Sequence, residues 1–210
     1  EPGSRGGVVI GRFVVIEGGD GAGKSTHVTM LAAWLRERGL RVVETREPGG
    51  TPLGLGLRAL LLDGAVDVGP VSEALIMAAD RAEHISEVVR PALARGEWVV
   101  SDRHVPSSLV YQGVVRDLGV EPVGALSALA VDGVVPDLVI VLDVADEVAQ
   151  RRRHPSADRL EREGERFHAD VRAAYRVLAA EHGWCLIDGA GSAQEVAARV
   201  AAVVLERLDP

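Results

Sequence analysis

The chain has 210 residues, of which 47% are hydrophobic, and carries a formal net charge of -8. This length and composition predict one domain with a sizeable core, and the negative charge argues against general binding to nucleic acid or anionic membranes. No apolar run reaches the ~18 residues of a membrane span, and the single cysteine, Cys185, excludes an internal disulfide framework.

Strand and helix patterns alternate along the chain. Residues 1–11 are expected to be disordered or introduced by cloning, and because no secretory leader precedes the first strand we expect a cytoplasmic protein. Apolar runs that do not alternate in polarity predict buried parallel strands at residues 13–16, 42–45, 98–101, 138–142 and 184–187. Helical patterns cover residues 26–38, 57–62, 72–94 with Ser72 as N-cap, 161–182 and 193–208. This order predicts a doubly wound α/β sheet of about five parallel strands with helices on both faces.

A glycine-rich loop joins the first predicted strand to the first predicted helix. Its sequence matches G-x-x-x-x-G-K-[ST], a loop whose backbone N–H groups bind nucleotide phosphates, and it reads Gly18-Gly19-Asp20-Gly21-Ala22-Gly23-Lys24-Ser25-Thr26. Lys24 is the only lysine in the chain. It would reach the β- and γ-phosphates of a nucleoside triphosphate, and the Ser25 hydroxyl would ligate Mg²⁺.

Several classes of protein share such a loop. GTPases commonly read guanine with an Asn-Lys-x-Asp segment, which a chain with one lysine, already used in the loop, cannot contain. Motor ATPases and transporter subunits are usually larger, and no transporter signature is present. A kinase of small metabolites therefore fits best, and a regulatory protein that binds nucleotides without catalysis is the alternative outside enzymes.

Five motifs in order resemble bacterial thymidylate kinase, and the resemblance extends over residues 12–208, a single kinase domain. The motifs occupy residues 17–26, 45–51, 102–104, 107–113 and 158–161. The resemblance implies that the γ-phosphoryl group of ATP is transferred to dTMP with the help of Mg²⁺, by a homodimer whose lid spans about residues 151–159. A phosphate acceptor is already dianionic and needs no general base, so cations must bring two polyanions together, a task that suits arginine forks.

The resemblance also implies roles around the transferred phosphate. Arg103 would clamp the acceptor phosphate, and Asp102 would hold a water molecule on the metal. Asp20 would lie near the sugar 3′-hydroxyl and the metal. In the lid, Arg153 is the first candidate to reach the transferred phosphoryl group, and Arg159 is the second.

The acceptor nucleoside would be bound by residues from three other segments. Arg81, Ser108 and Gln112 would contact the thymine, and Tyr111 would pack under the deoxyribose, where a ribose 2′-hydroxyl would clash. Glu47 and Arg58 would line the same pocket.

One departure from the family concerns the base. The family usually has phenylalanine where this chain has Met77. A thioether can lie against a ring but does not stack as an aromatic ring does. We therefore expect weaker dTMP binding or looser base selection, and a deoxynucleotide kinase with altered base preference is the alternative among enzymes.

Overall fold

Five parallel strands form one sheet at the centre of the fold. The computed structural model describes residues 11–62, 66–152 and 163–210. Within these ranges the strands are β1 (Phe13–Glu17), β2 (Val42–Arg46), β3 (Trp98–Asp102), β4 (Leu138–Asp143) and β5 (Cys185–Asp188). They are ordered β2-β3-β1-β4-β5, and each neighbouring pair is parallel. The predicted doubly wound α/β class is confirmed.

Helices connect the strands and cover the sheet. They are α1 (Lys24–Glu37), α2 (Pro52–Leu62), α3 (Pro70–His84), α4 (Arg90–Ala94), α5 (Val105–Ser108), α6 (Val120–Val131), α7 (Asp146–Arg152), α8 (Glu165–His182) and α9 (Ala193–Leu208). Two π-helical segments also occur, Ile85–Val89 between α3 and α4 and Leu109–Val115 after α5. A search of the described helices finds none long and apolar enough to cross a membrane.

Both faces of β1 are buried, which explains why its sequence does not alternate in polarity. Val14 and Ile16 belong to a core cluster that includes residues of α1 and α9. Phe13 and Val15 point to the opposite face and join a cluster with residues of the Ile85–Val89 segment. Because helices cover both faces, each strand position favours an apolar residue, and each buried side chain of this size stabilises the fold by about 1.5–3 kcal/mol.

The structure corrects several element boundaries. Ser72 is exposed and is not an N-cap, because α3 begins at Pro70 with Gly69 at the N-cap position. Proline suits the first helical position because an N–H group there would have no partner within the helix, so its absence costs nothing. The predicted helix 72–94 is interrupted by a π-helical segment. Strands β2 and β5 lie at the two edges of the sheet. No residue of β2 is buried and Ile187 is the only buried residue of β5, so the expectation of buried strands at residues 42–45 and 184–187 was wrong.

The order of the strands determines where a ligand can bind. β1 lies between β3 and β4 in the sheet. The connection from β1 leads to β2 on one side of it, and the connection from β3 leads to β4 on the other side. In open parallel sheets, ligands bind outside the carboxyl ends of strands at such a switch point. The loop after β1 and the residues that follow β2 and β3 all lie at the carboxyl ends of the strands, at this switch point.

Candidate active site

The phosphate loop requires glycine for steric reasons. Gly18 has a φ of 135°, and a Cβ atom there would lie 2.6 Å from the carbonyl oxygen of Leu142. The loop leads directly into α1, whose first N–H groups and dipole favour an anion. Lys24 is the first residue of α1 and donates from Nζ to the Gly19 carbonyl oxygen at 2.9 Å. Burial, followed by the charge of Arg103, lowers the pKa of Lys24, so a bound phosphate would relieve an electrostatic cost.

Arg103 lies at the carboxyl end of β3 and faces the phosphate loop. Its φ is 73°, an uncommon left-handed conformation for a residue other than glycine. One terminal guanidinium nitrogen is paired with the Asp20 carboxylate and donates to the Tyr111 hydroxyl at 3.1 Å. The other donates to Ser107 Oγ at 3.0 Å. Burial opposes ionisation of Asp20, but Arg103 and Lys24 outweigh it, and the pKa of Asp20 is lowered.

Glu17 is a buried carboxylate beneath Arg103 to which the sequence analysis assigned no role. Its Oε1 accepts from the His104 backbone N–H at 2.7 Å. Its Oε2 accepts from Ser107 Oγ at 2.6 Å and from the Tyr175 hydroxyl at 2.8 Å. Because both hydroxyls donate to Glu17, their lone pairs are available to Arg103. Burial raises the pKa of Glu17, and Arg103 and these hydrogen bonds counter only part of that rise.

Ser25 and Asp102 bring two oxygen atoms together beside the phosphate loop. Ser25 Oγ donates to Asp102 Oδ2 at 2.5 Å. Mg²⁺ prefers oxygen ligands and is usually bound by one or two protein groups together with water and substrate phosphates. A hydroxyl and a carboxylate next to a phosphate loop therefore fit Mg²⁺, and the binding of the metal by these two residues stays a prediction.

A cleft of about 310 Å³ lies at the carboxyl ends of the strands. Its walls come from the phosphate loop, the segment after β2, α2, α3 and the residues after β3. The predicted site residues that line it are Asp20, Gly21, Gly23, Lys24, Ser25, Thr26, Glu47, Arg58, Met77, Asp102, Arg103, Tyr111 and Gln112. Arg46, Glu73 and Ser107 line it as well and were missed by the sequence analysis. Arg153 and Arg159 lie outside the described residues.

Arg81 and Ser108 are absent from the residues that line the cleft and are buried behind it. Arg81 donates from Nε to Glu47 Oε2 at 2.9 Å. One terminal nitrogen donates to the His104 carbonyl oxygen at 3.1 Å and to Ser108 Oγ at 3.0 Å. The other Glu47 oxygen lies 2.8 Å from Nδ1 of both His84 and His104. Burial opposes ionisation of Glu47, but His104 and Arg81 hold its pKa well below its usual range.

The end of the cleft farther from the phosphate loop is formed by α3 and the Leu109–Val115 segment. Met77 is buried and lines this end. Gln112 donates from Nε2 to Glu73 Oε1 at 2.9 Å. The Tyr111 hydroxyl donates to Asp20 at 3.2 Å, which connects this end to the phosphate loop. Burial is the main cause that raises the pKa of Tyr111, so the phenol stays protonated at neutral pH.

Comparison with known proteins agrees with this geometry. The family model described as Thymidylate kinase matches residues 16–200. A thymidylate kinase of Leifsonia xyli is 49% identical over 195 residues, covering 90% of this chain and 92% of the relative. One from Chromohalobacter salexigens is 45% identical over 94% of this chain and 97% of the relative, and one from Prochlorococcus marinus is 39% identical over 90% and 94%.

Proposed function

Since this chain belongs to the thymidylate kinase family, we propose that it transfers the γ-phosphoryl group of ATP to the 5′-phosphate of dTMP, giving dTDP and ADP. One observation carries the proposal: Lys24 of the phosphate loop and Arg103, directly after β3, line the same cleft. A single cleft with two separate phosphate-binding cations suits a donor and an acceptor that both carry phosphate. A protein that only senses a nucleotide has no need of the second cation.

Phosphoryl transfer here depends on position and charge. The loop amides and Lys24 hold the donor phosphates, and Arg103 holds the acceptor phosphate. An oxygen of the acceptor phosphate attacks the γ-phosphorus, the bond to the β-phosphate oxygen breaks, and ADP leaves. Ser25, together with a water molecule on Asp102, would hold Mg²⁺, and the metal would supply charge neutralisation at the β- and γ-phosphates.

The lid is proposed to complete the charge balance at the transferred group. Arg153, or Arg159 as the second candidate, would reach the γ-phosphoryl group, because the phosphate loop itself contains no arginine. A cation placed where negative charge is shared between donor and acceptor stabilises the transition state more than either ground state.

The nucleoside of dTMP is proposed to occupy the other end of the cleft. Tyr111 would pack under the deoxyribose, and Asp20 would lie near the 3′-hydroxyl. Met77 would lie against the thymine, and Gln112 would contact its polar edge. Glu47 and Arg58 line the cleft and would bound the same pocket. Arg81 and Ser108 are buried behind the residues that line the cleft. The contacts proposed for them therefore require that their side chains reach the thymine between those lining residues.

We also propose that the protein is a cytoplasmic homodimer. Helix α3 packs against both α2 and α6, and all three helices expose apolar side chains, among them Leu53, Leu55, Val71, Leu75 and Leu129. Three adjacent helices with exposed apolar residues are typical of a subunit interface. Leu75→Glu should yield monomers in light scattering, whereas the matched Leu205→Glu on α9 should remain a dimer; a dimeric Leu75→Glu protein would contradict this interface.

A coupled assay of ADP release tests the activity. ATP would be offered with dTMP, dUMP, dCMP, dGMP or dAMP in turn, and dTMP should give the highest kcat/KM. Lys24→Met should abolish transfer to every acceptor, because the loop loses its only ammonium group. Absence of transfer to any monophosphate, or transfer to another monophosphate without transfer to dTMP, would contradict the proposal.

A further inference from the structure

Glu73 and Gln112 form a buried pair in the wall of the cleft. Their exposed fractions are 1% and 2%, and Gln112 Nε2 donates to Glu73 Oε1 at 2.9 Å. The other polar atom of the glutamine side chain, Oε1, is buried and has no hydrogen-bond partner among the described residues. Buried polar atoms in native proteins are rarely left without a hydrogen-bond partner, which points to a ligand as the missing donor to Gln112 Oε1.

The orientation of the Gln112 amide is determined by Glu73. A carboxylate only accepts hydrogen bonds, so the amide must present its NH₂ group to Glu73 and keep its oxygen on the other side. The reversed amide would place two oxygens against each other. Arg116 stabilises Glu73 in turn, with Nε at 3.5 Å from Glu73 Oε1. Arg116 is itself held by Glu163 at 2.8 Å and lies over the Phe167 ring.

We propose that Glu73 is the positioning residue that makes this site select a base with a donor at N3, because it fixes Gln112 Oε1 as an acceptor. The inference rests on the proposed function and deepens it. Thymine and uracil carry an N–H group at N3 and can donate to this oxygen. Cytosine carries a lone pair at N3, which would face the oxygen without a proton between them. The site would therefore reject cytosine through the fixed polarity of one amide.

The test compares dTMP with 5-methyl-dCMP, since both carry the 5-methyl group and they differ only at positions 3 and 4 of the ring. Glu73→Gln provides a partner that can accept or donate, so the Gln112 amide can reverse. The preference for dTMP, measured as the ratio of Kd values by calorimetry and of kcat/KM values, should fall at least about tenfold. The KM for ATP should stay unchanged.

Two further variants make the result interpretable. Gln112→Met keeps the volume but removes the acceptor, so its preference should fall as in Glu73→Gln. Glu97→Gln is the matched control, because Glu97 pairs with Arg95 and Arg41 just before β3, at the opposite end of the strand from the cleft. This control should keep the full preference.

Each outcome decides the inference. An unchanged preference in a folded Glu73→Gln or Gln112→Met protein would overturn it. Equal affinity of the unsubstituted protein for dTMP and 5-methyl-dCMP would also overturn it, while phosphorylation of dTMP would leave the proposed function standing. If the unsubstituted protein binds dTMP selectively but transfers no phosphate, the proposed function fails, and the binding ratios of the variants still decide the role of Glu73.

Discussion

Replacing Arg81 by methionine would remove the guanidinium group that pairs with the Glu47 carboxylate in the core. The two side chains are 1% and 0% exposed, and their closest atoms, Nε and Oε2, are 2.9 Å apart. Arg81 also donates to the His104 carbonyl oxygen and to Ser108 Oγ. Removing one partner of a buried ion pair costs about 3–5 kcal/mol. Since a domain has a total stability of about 5–15 kcal/mol, we expect the free energy of unfolding to fall by about a fifth or more.

Urea unfolding, followed by tryptophan fluorescence, would measure this loss. The cycle consists of Arg81→Met, Glu47→Gln and the double variant. Because the charge on Glu47 is the cause of the penalty, the double variant should lose less than the sum of the single losses, by about 1–3 kcal/mol. As a control, Arg36→Met removes an exposed pair with Glu44 and should cost at most about 1 kcal/mol. Additive losses, or a loss below about 1 kcal/mol for Arg81→Met, would refute the reasoning.

Three further predictions concern the contact of Met77 with the base, the role of Arg153 in the lid and the pH dependence that the Glu47 charge causes. Met77→Phe should lower the KM for dTMP about two- to tenfold, since an aromatic pair adds about 0.5–1.5 kcal/mol; an unchanged KM and an unchanged preference for dTMP over dUMP would contradict this. Arg153→Ala should lower kcat much more than it raises the KM for dTMP, and a change in binding alone would refute its role in the lid. Burial opposes ionisation of Glu47, but His104 and Arg81 hold its pKa well below 4.5, so its charge stabilises the fold above about pH 4.5. That contribution is lost as pH falls through the lower folded-state pKa. Thermal unfolding of Glu47→Gln, measured between pH 7 and 3, should therefore lack this part of the acid destabilisation. A pH dependence equal to that of the parent would contradict this.

Strands β1, β3 and β4 could be predicted because burial on both faces leaves them apolar at nearly every position. The edge strands β2 and β5 were located from similar apolar runs, although few of their residues are buried. Helix α6 was missed, since Val120–Val131 is apolar on nearly every side and shows no polar face from which a helical period could be read. The π-helical segments were missed because their sequences do not differ from those of α-helices. In the site, the phosphate loop was predicted from nine consecutive residues, whose glycines and lysine are required by local geometry.

The buried charge networks could not be predicted in this way. Glu17 is 87 residues from His104, 90 from Ser107 and 158 from Tyr175 along the chain. No periodicity or motif connects residues so far apart. They meet because β3 pairs with β1 and because α8 packs on the sheet. One signal was available in the sequence: Glu17 ends an apolar run that is buried on both faces, and a charge in such a place needs partners.

These networks explain how Arg103 keeps an unfavourable backbone conformation. Glu17 ends β1, Glu47 follows β2, and β3 lies between these two strands in the sheet. The residue after Arg103 is therefore held from both sides, because the backbone N–H of His104 donates to Glu17 while its imidazole lies 2.8 Å from Glu47. A left-handed residue costs about 1–3 kcal/mol and persists only where its surroundings determine it. The two buried carboxylates thus supply the constraint that directs the Arg103 guanidinium into the cleft.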